Sequence, residues 1–560
     1  MVKRTAHAVI AGALALATAA TLGAAGTGAG PGSAVDRGDA AGAEARGDAG
    51  SRVGTARDSG DASRVVTDKG AVRGTVTDAV RVFQGIPYAA PPVGERRWAP
   101  PGPVQRWRGV RDATERGAAC PQTGLVPPVG PASDDEDCLF VNVTAPRTPS
   151  AKPRPVMVYL HGGDHTDGEG AMHGARRLAA RGDVIVVTVN YRLAALGYLA
   201  HPDLEARGES GNYGFLDQQA ALRWVRRNAA AFGGDPRSVT LFGESAGGYS
   251  ACAHLVAPSS AGLFDRVILQ SAPCTADMGA RDREEALKEG VAAAAGIEKR
   301  HGLDDWRRAS PRQLVHPFGA GPTYTPVYGG ALLPRTPREA FAAGRFNKVP
   351  VLHGVNRHEE RARVYGLELA KQADTGDPDA QIDRADYHTH LEREFGAERA
   401  AAVAARYPVS AYDGSPALAL AAALTDGLWA RHSVDTGRAL SRHVRTYGYE
   451  FADHEVPWYS DANYRKPRFE VGAAHTFELP YLFELDAYTP LTPAQRTLSD
   501  EMIRIWAEFA RTGRADWRSA TPASPNVRSL ASGPGGIRPV DFAKDHHDDF
   551  WKSLFGKSPR

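Results

Sequence analysis

Apolar and amphipathic segments alternate along most of this chain. Short, almost continuously apolar runs are typical of strands buried on both faces of a sheet. Segments with apolar residues at spacings of three and four, such as residues 216–231 and 498–511, predict amphipathic helices. The alternation predicts a mostly parallel sheet with covering helices. The apolar runs are residues 156–160, 184–189, 239–242, 267–269, 349–352 and 446–451.

Two stretches depart from this alternation, namely residues 275–328 and 361–420. Both are helix-rich and irregular in pattern. Insertions beside the active face of an α/β sheet commonly form lids and substrate pockets. We therefore expect these two stretches to carry specificity.

The pentapeptide Gly243-Glu244-Ser245-Ala246-Gly247 joins a predicted strand to a predicted helix. The β-branched and aromatic run 238–242 precedes it, and residues 248–256 follow with helical spacing up to Pro258. A serine on such a sharp turn exposes its hydroxyl above the sheet. The helix that follows directs its first N–H groups at charge developing beside the serine. This context predicts a nucleophile at Ser245.

The N-terminus has the pattern of a targeting segment. Lys3 and Arg4 precede an apolar run at residues 8–22, and small residues follow. This predicts a secretory signal peptide at residues 1–25, cleaved between about Ala24 and Ala34. Residues 26–63 are almost entirely small or polar, so we expect a disordered leader there. Residues 64–560 are predicted to form a single catalytic domain.

The composition limits the classes of partner that we expect this protein to bind. The net charge of +2, from 67 basic and 65 acidic residues, gives no electrostatic reason to expect nucleic acid or an anionic membrane. No stretch after the signal peptide is apolar and long enough for a permanent membrane anchor. Four cysteines in an exported chain predict two disulfides. Sequential pairing, Cys120–Cys138 and Cys252–Cys274, closes the shorter loops, with buried thiols as the alternative for the second pair.

A serine nucleophile needs a base, an orienting acid and donors for the oxyanion. The sharp strand-to-helix turn at Ser245, called a nucleophile elbow, predicts that the three catalytic residues occur along the chain in the order serine, acid, histidine. Residues 354–360 follow the predicted strand 349–352 and contain adjacent acids, Glu359 and Glu360. His475 lies in a loop of small residues late in the chain, and the segment from His161 to Asp164 offers backbone N–H groups after a strand.

Ordered blocks spanning about nine-tenths of the chain resemble the type B carboxylesterase/lipase family. The resemblance implies an α/β-hydrolase fold, in which a large, mostly parallel sheet carries helices on both faces and helical insertions form the substrate pocket. The blocks are residues 83–94 (FQGIPYAAPPVG), 136–142 (EDCLFVN), 190–193 (NYRL), 211–217 (GNYGFLD), 228–235, 242–248 (FGESAGG), 268–271 (ILQS) and 509–513 (FARTG).

The same resemblance assigns roles residue by residue. It implies that Ser245 is the nucleophile, Glu359 the triad acid and His475 the base. Supporting roles beside the triad fall to Glu244 and Ser271, and Cys120–Cys138 matches the first disulfide of the family. The implied donors of the oxyanion hole are the N–H groups of Gly163, Asp164 and Ala246.

The sequence departs from the family pattern at two positions. Asp164 stands where the family has the third glycine of its oxyanion block, and Glu360 stands where glycine usually follows the acid. The Asp164 N–H survives the change, but a carboxylate about 6 Å from an oxyanion would repel it by roughly 3 kcal/mol. Activity then requires Asp164 to point away, to be protonated, or to pair with His165. Two adjacent carboxylates also leave open which one orients His475, although the register of the family favours Glu359.

The sequence therefore predicts a secreted serine carboxylic-ester hydrolase that uses a Ser-His-Glu triad and an acyl-enzyme intermediate, without metal or cofactor. Its partner is a small-molecule ester, and its oligomeric state stays open. The alternatives are a lipase on longer acyl chains, a non-enzymatic binding protein if the Asp164 oxyanion hole is not competent, and a serine peptidase. A cholinesterase is disfavoured because the loop between Cys120 and Cys138 contains no tryptophan for a cationic ligand.

Overall fold

One large sheet forms the framework of the protein. The computed structural model describes residues 61–124, 130–207, 210–316, 323–461 and 465–556. The predicted signal peptide at residues 1–25 lies outside the described residues, as does the predicted leader up to residue 60. Within the described ranges, no helix combines the length and apolar character that a membrane crossing requires.

Eleven strands of the described chain form the main sheet and are numbered β1 to β11 in chain order. Their spatial order is β11-β10-β9-β8-β7-β6-β4-β5-β3-β2-β1, with antiparallel pairing at both edges. Strands β4 to β10 pair in parallel. The continuous apolar runs predicted β4 to β9, whereas β10, with the sequence VRSL, was not predicted. The strands are Thr75–Val76, Val80–Pro87, Phe140–Pro146, Arg154–Leu160, Ile185–Val189, Gly234–Glu244, Arg266–Gln270, Val351–Asn356, Thr446–Phe451, Val527–Leu530 and Arg538–Val540.

In the described ranges, short strands outside the main sheet form two small sheets. One joins Arg64–Val66, Ala71–Arg73 and Val110–Asp112, and the other joins Arg281–Asp282 to Val327–Tyr328.

The α-helices of the described chain are numbered α1 to α15, and a π-helical turn at Thr425–Ala430 joins α11 to α12. They are Arg176–Gly182, Ala194–Tyr198, Tyr213–Asn228, Ala246–Val256, Arg283–His301, Pro311–Leu314, Pro337–Ala342, Arg361–Thr375, Arg384–Phe395, Ala397–Arg406, Pro416–Leu424, Arg431–Ser441, Pro493–Thr512, Phe542–Asp545 and Asp548–Phe555. The 3₁₀ turns are Gly94–Arg96, Gly170–Met172, Pro202–Arg207, Ala229–Phe232, Pro258–Ser260, Asp277–Gly279, Trp306–Arg308, Val409–Ala411 and Leu479–Tyr481.

Helices cover both faces of the sheet and close two hydrophobic cores. On one face, Leu222 of α3 and Leu255 of α4 join the core that contains Val158 of β4. On the other face, Trp506 of α13 joins the core that contains Met157. Adjacent residues of a strand point to opposite faces, so β4 contributes to both cores. This double coverage explains why the central strands lack polar alternation.

Some element boundaries differ from the predictions for local reasons. The helix expected at residues 498–511 begins at Pro493, because Thr492 and Gln495 form a capping box with hydrogen bonds of 3.3 and 2.8 Å. The strand expected at residues 349–352 runs instead from Val351 to Asn356. Pro350 has no N–H to donate, and pairing with β9 continues past the apolar run to Asn356.

The two disulfides of the structure join Cys120 to Cys138 and Cys252 to Cys274, which is the sequential pairing. The second bridge ties α4, which follows the predicted nucleophile, to the loop after β7. Crosslinks over loops of this length stabilise a fold mainly by constraining the unfolded chain.

A buried ionic cluster ties the C-terminal helices to the rest of the domain. His546 lies between Asp426 of the π-helical turn, 2.5 Å from Nδ1, and Glu450 of β9, 2.8 Å from Nε2. Burial alone would lower the pKa of His546, but the two carboxylates outweigh it and raise the pKa to about 10. A charged His546 therefore fastens the C-terminal segment to the sheet.

Candidate active site

Ser245 lies on the sharp turn between β6 and α4. Its backbone is strained, with φ 54° and ψ −124°. The turn is held by the Ser245 N–H, which donates to the carbonyl of Gln270 at 3.0 Å on the neighbouring strand β7. Strain of this kind persists only where the surroundings enforce it, and it often marks a functional residue. The strand and helix predicted on either side of Ser245 are both present.

The two glycines of the pentapeptide make this turn possible. A Cβ on Gly247 would lie 1.9 Å from the carbonyl oxygen of Leu160, and one on Gly243 would lie 2.5 Å from the carbonyl of Gly247. Neither position has room for a side chain, so α4 can approach β4 and β6 only with glycine at both. The same approach brings the loop after β4 to the serine, since a Cβ on Gly162 would lie 3.1 Å from the Ser245 Cβ.

Glu359 follows β8 and contacts His475 directly. Its Oε2 lies 2.7 Å from Nδ1 of His475, and its Oε1 accepts the N–H of Asn356 at 2.8 Å. The His475 N–H also donates to the Glu359 carbonyl at 3.2 Å. The glutamate is 2% exposed, so water competes little for its carboxylate. These contacts fix the tautomer that leaves Nε2 of His475 free to accept a proton.

The Nε2 edge of His475 faces the residue before the serine, because Glu244 Oε1 lies 3.3 Å from it. That Glu244 oxygen has no hydrogen-bond partner among the described residues. Burial raises the pKa of Glu244 well above its ordinary range. For His475, burial lowers the pKa, but the carboxylates of Glu244 and Glu359 outweigh it and raise the pKa above the ordinary value. A neutral Glu244 removes one of those charges, so the titrations of Glu244 and His475 are coupled.

The loop after β4 presents N–H groups that are free to bind an anion. Gly163 and Asp164 both have positive φ, 103° and 55°, which turns the backbone of this loop. In the described chain, no protein acceptor takes the N–H of Gly163, Asp164 or Ala246. Ala246 is the first residue of α4, where helical N–H groups lack partners. The arrangement can bind an oxyanion beside Ser245.

The Asp164 carboxylate makes no hydrogen bond or ion pair among the described residues. Protein packed around it raises its pKa to about 7, and Asp167 raises the pKa further. Solvent reaches the side chain, and hydration of the carboxylate opposes this rise. His165 does not pair with Asp164, since its Nε2 lies 3.0 Å from the Ser250 hydroxyl and its ring contacts Tyr198. Two ways to limit repulsion between Asp164 and the oxyanion therefore remain: the carboxyl group is protonated, or it points away.

Glu360 points away from His475, unlike its neighbour Glu359. Its Oε1 accepts the indole N–H of Trp429 at 2.6 Å, and its Oε2 pairs with Arg363. The Trp429 ring in turn lies 4.9 Å from the imidazole of His475, centroid to centroid. No local motif marks Trp429, which belongs to the π-helical turn, so sequence patterns did not identify it.

Three further polar residues support the loop of His475. Asn356 donates to the carbonyl of Ala474 at 2.7 Å and to Glu478 Oε2 at 2.8 Å, and Gln270 donates to Glu478 at 3.1 Å. The sequence signal that could have identified Glu478 as a supporting residue is its position three residues after His475. Ser271 has positive φ, 47°, and its N–H donates to the Gly354 carbonyl at 2.9 Å, between β7 and β8.

No group of three or more His, Cys, Asp or Glu side chains in the described ranges is arranged to hold a metal ion. The chemistry that the site can perform with its own side chains is nucleophilic attack by Ser245, with the imidazole of His475 as proton acceptor.

Comparison with known proteins places this geometry in context. A model of the carboxylesterase family matches residues 61–547. The para-nitrobenzyl esterase of Bacillus subtilis (strain 168) is 35% identical over 472 residues, covering 80% of this chain and 90% of the relative. A cocaine esterase of Oryctolagus cuniculus is 33% identical over 498 residues, covering 84% and 89%.

Solved structures of esterases superpose on this chain. A thermophilic PNB esterase superposes with a TM-score of 0.70 at 31% identity, covering 88% of this chain and 100% of that one. A second PNB esterase superposes with a TM-score of 0.68 at 30% identity, with the same coverage. These likenesses confirm the α/β-hydrolase fold that the sequence predicts.

Proposed function

We propose that this chain, which belongs to the carboxylesterase family and is a carboxylic-ester hydrolase, acts through Ser245 as nucleophile, His475 as base and Glu359 as orienting acid. The observation that carries the proposal is the 2.7 Å contact between Glu359 and Nδ1 of His475, which leaves Nε2 beside Glu244, the residue that precedes Ser245 in the chain. The relatives carry the names of esterases, and this favours catalysis over a purely binding role.

In the proposed reaction, the Ser245 hydroxyl attacks the ester carbonyl while Nε2 of His475 takes its proton. The carboxylate of Glu359, 2.7 Å from Nδ1, stabilises the imidazolium that forms. The N–H groups of Gly163, Asp164 and Ala246 bind the tetrahedral oxyanion. His475 then protonates the departing alcohol, and a water molecule activated by the same imidazole hydrolyses the acyl-enzyme.

The proposed substrates are small esters with short or medium acyl chains. The names of these relatives refer to para-nitrobenzyl esters and to cocaine, and both kinds of ester carry an aromatic ring. We therefore propose that this chain also accepts esters that carry aromatic groups. The helices at α5, α6 and α8 to α11, which fill the two irregular stretches of the sequence, are the proposed walls of the substrate pocket.

We also propose that the chain is exported and that residues 64–560 form the catalytic unit. The targeting pattern at the N-terminus and the two disulfides support export. Sequencing the N-terminus of the protein released from an expressing host tests this, with a new terminus expected between about Ala24 and Ala34.

The function is tested with p-nitrophenyl esters of increasing acyl length, together with a para-nitrobenzyl ester and a chromogenic peptide. We expect hydrolysis of the shorter esters, loss of all of it in Ser245→Ala, and labelling of Ser245 by an organophosphate. An unreactive serine, or ester hydrolysis that survives in Ser245→Ala, would contradict the mechanism. A preference for long chains would instead identify a lipase, and cleavage of the peptide a peptidase.

A further inference from the structure

Trp429 covers part of the imidazole of His475. The two ring centroids lie 4.9 Å apart with the planes tilted by 43°. The indole N–H donates to Oε1 of Glu360 at 2.6 Å. Trp429 is 9% exposed and Glu360 is 4% exposed, so water does not readily replace this hydrogen bond. The orientation of the indole against the base therefore depends on Glu360.

Besides the indole of Trp429, two other groups hold Glu360. Its Oε2 pairs with Arg363, and its N–H donates to the Thr425 hydroxyl at 3.1 Å. Arg363 also reaches Glu394, whose Oε1 lies 3.4 Å from Nη1. Thr425 is the first residue of the π-helical turn, and Trp429 lies one residue before its end. Glu360 contacts both residues, so it connects that turn to the loop of the predicted triad acid. Isolated π-helical turns frequently occur at functional sites.

We propose that Glu360 is a positioning residue for hydrolysis, which it assists by holding the indole of Trp429 against the imidazole of His475. The inference rests on the proposed function of His475 as base. The hydrogen bond to Glu359 fixes Nδ1 but leaves the ring able to tilt about that contact. The indole limits this tilt and keeps water from one face of the ring, so that Nε2 stays aligned for proton transfer.

A purely structural ion pair between Glu360 and Arg363 is the competing explanation, and the chain offers a matched control. Glu394 pairs with the same guanidinium and is as buried as Glu360. Among the described residues, the indole N–H of Trp429 bonds to Glu360, whereas Glu394 bonds to arginines. Glu394→Gln therefore perturbs the same arginine without changing the indole hydrogen bond.

The experiment measures kcat and KM on p-nitrophenyl acetate, with each variant normalised to its active sites by organophosphate titration. We expect Glu360→Leu to lower kcat about tenfold while KM changes less than about twofold, because the misplaced group is the base rather than a binding contact. Glu360→Gln keeps an oxygen for the indole N–H and should restore most of kcat. Glu394→Gln should stay within about twofold of the parent enzyme.

A double-mutant cycle tests whether Glu360 acts through Trp429. Trp429→Phe removes the indole donor, so Glu360→Leu should have less than about a twofold effect in that background. Additive effects, an equal loss of kcat in Glu394→Gln, or a change confined to KM would overturn the proposal. If the parent enzyme hydrolyses no ester, the proposed function fails; if the parent is active and Glu360→Leu is neutral, only this inference fails.

Discussion

Removing the charge of Asp164 should accelerate ester hydrolysis, and the gain should grow with pH. The carboxylate lies on a residue whose own N–H is a proposed oxyanion donor, and it has no partner in the described chain. When ionised, it repels the negative charge that develops on the carbonyl oxygen. Asp164→Asn keeps the size and tolerates the positive φ of 55°, so it isolates the effect of charge. Asp164→Gly removes charge and side chain together.

The size of the effect follows from Coulomb's law. A carboxylate on such a residue is about 6 Å from the oxyanion, and at an effective dielectric of about 20 the repulsion is roughly 3 kcal/mol. Solvent reaches Asp164, and doubling the dielectric to represent that screening reduces the repulsion to about 1.4 kcal/mol. The ionised enzyme should therefore be about tenfold to a hundredfold slower than the protonated enzyme.

The pKa of about 7 at Asp164 sets the pH window. Because hydration opposes the rise, at most about nine-tenths of the enzyme has Asp164 protonated near pH 6 and at most about one-tenth near pH 8. The ratio of kcat for Asp164→Asn to that of the parent should be at least about 1.1 at pH 6 and should rise to at least about five at pH 8. His475 titrates in both proteins, so its contribution largely cancels in the ratio. A ratio that stays flat across this range, or that falls below one, would refute the repulsion.

Three further predictions concern the acid, the elbow and the C-terminal cluster. Glu359→Gln should lower kcat by about 10³-fold or more on an ester substrate, and Glu360→Gln by far less, because Glu359 bonds to His475 and Glu360 does not; the reverse order in a kinetic comparison contradicts the assignment. Gly247→Ala should unfold at a lower temperature in calorimetry or fail to fold, since its Cβ would lie 1.9 Å from a carbonyl oxygen. The raised pKa of His546, about 10, means that its stabilisation is complete below about pH 6.5 and is lost as pH rises toward 10; His546→Gln should abolish that part of the pH dependence in urea titrations.

The extent to which the sequence predicted this structure varies with the range of the interactions. The central strands and the elbow were predictable, because continuous apolar runs and a glycine-flanked serine report directly on burial and local backbone shape. Glu359 and Glu360 are adjacent in a turn, so periodicity could not separate them. The distinction arises from contacts across the fold, namely His475 for one and Trp429 for the other. The sequence also left open the partner of His165, which is Ser250 on α4.

The two departures from the family pattern, Asp164 and Glu360, each add a carboxylate near the same proposed triad, yet the surroundings of the two carboxylates differ. Glu360 is buried, and its charge is balanced by Arg363 and used to hold Trp429. Asp164 is reached by solvent and has no cationic partner in the described ranges. A compensated charge can be kept at a buried position without opposing the reaction, whereas an uncompensated charge beside the oxyanion opposes it whenever it is ionised. Substitutions that neutralise the two residues should therefore act in opposite directions on kcat, with Glu360→Leu lowering it and Asp164→Asn raising it.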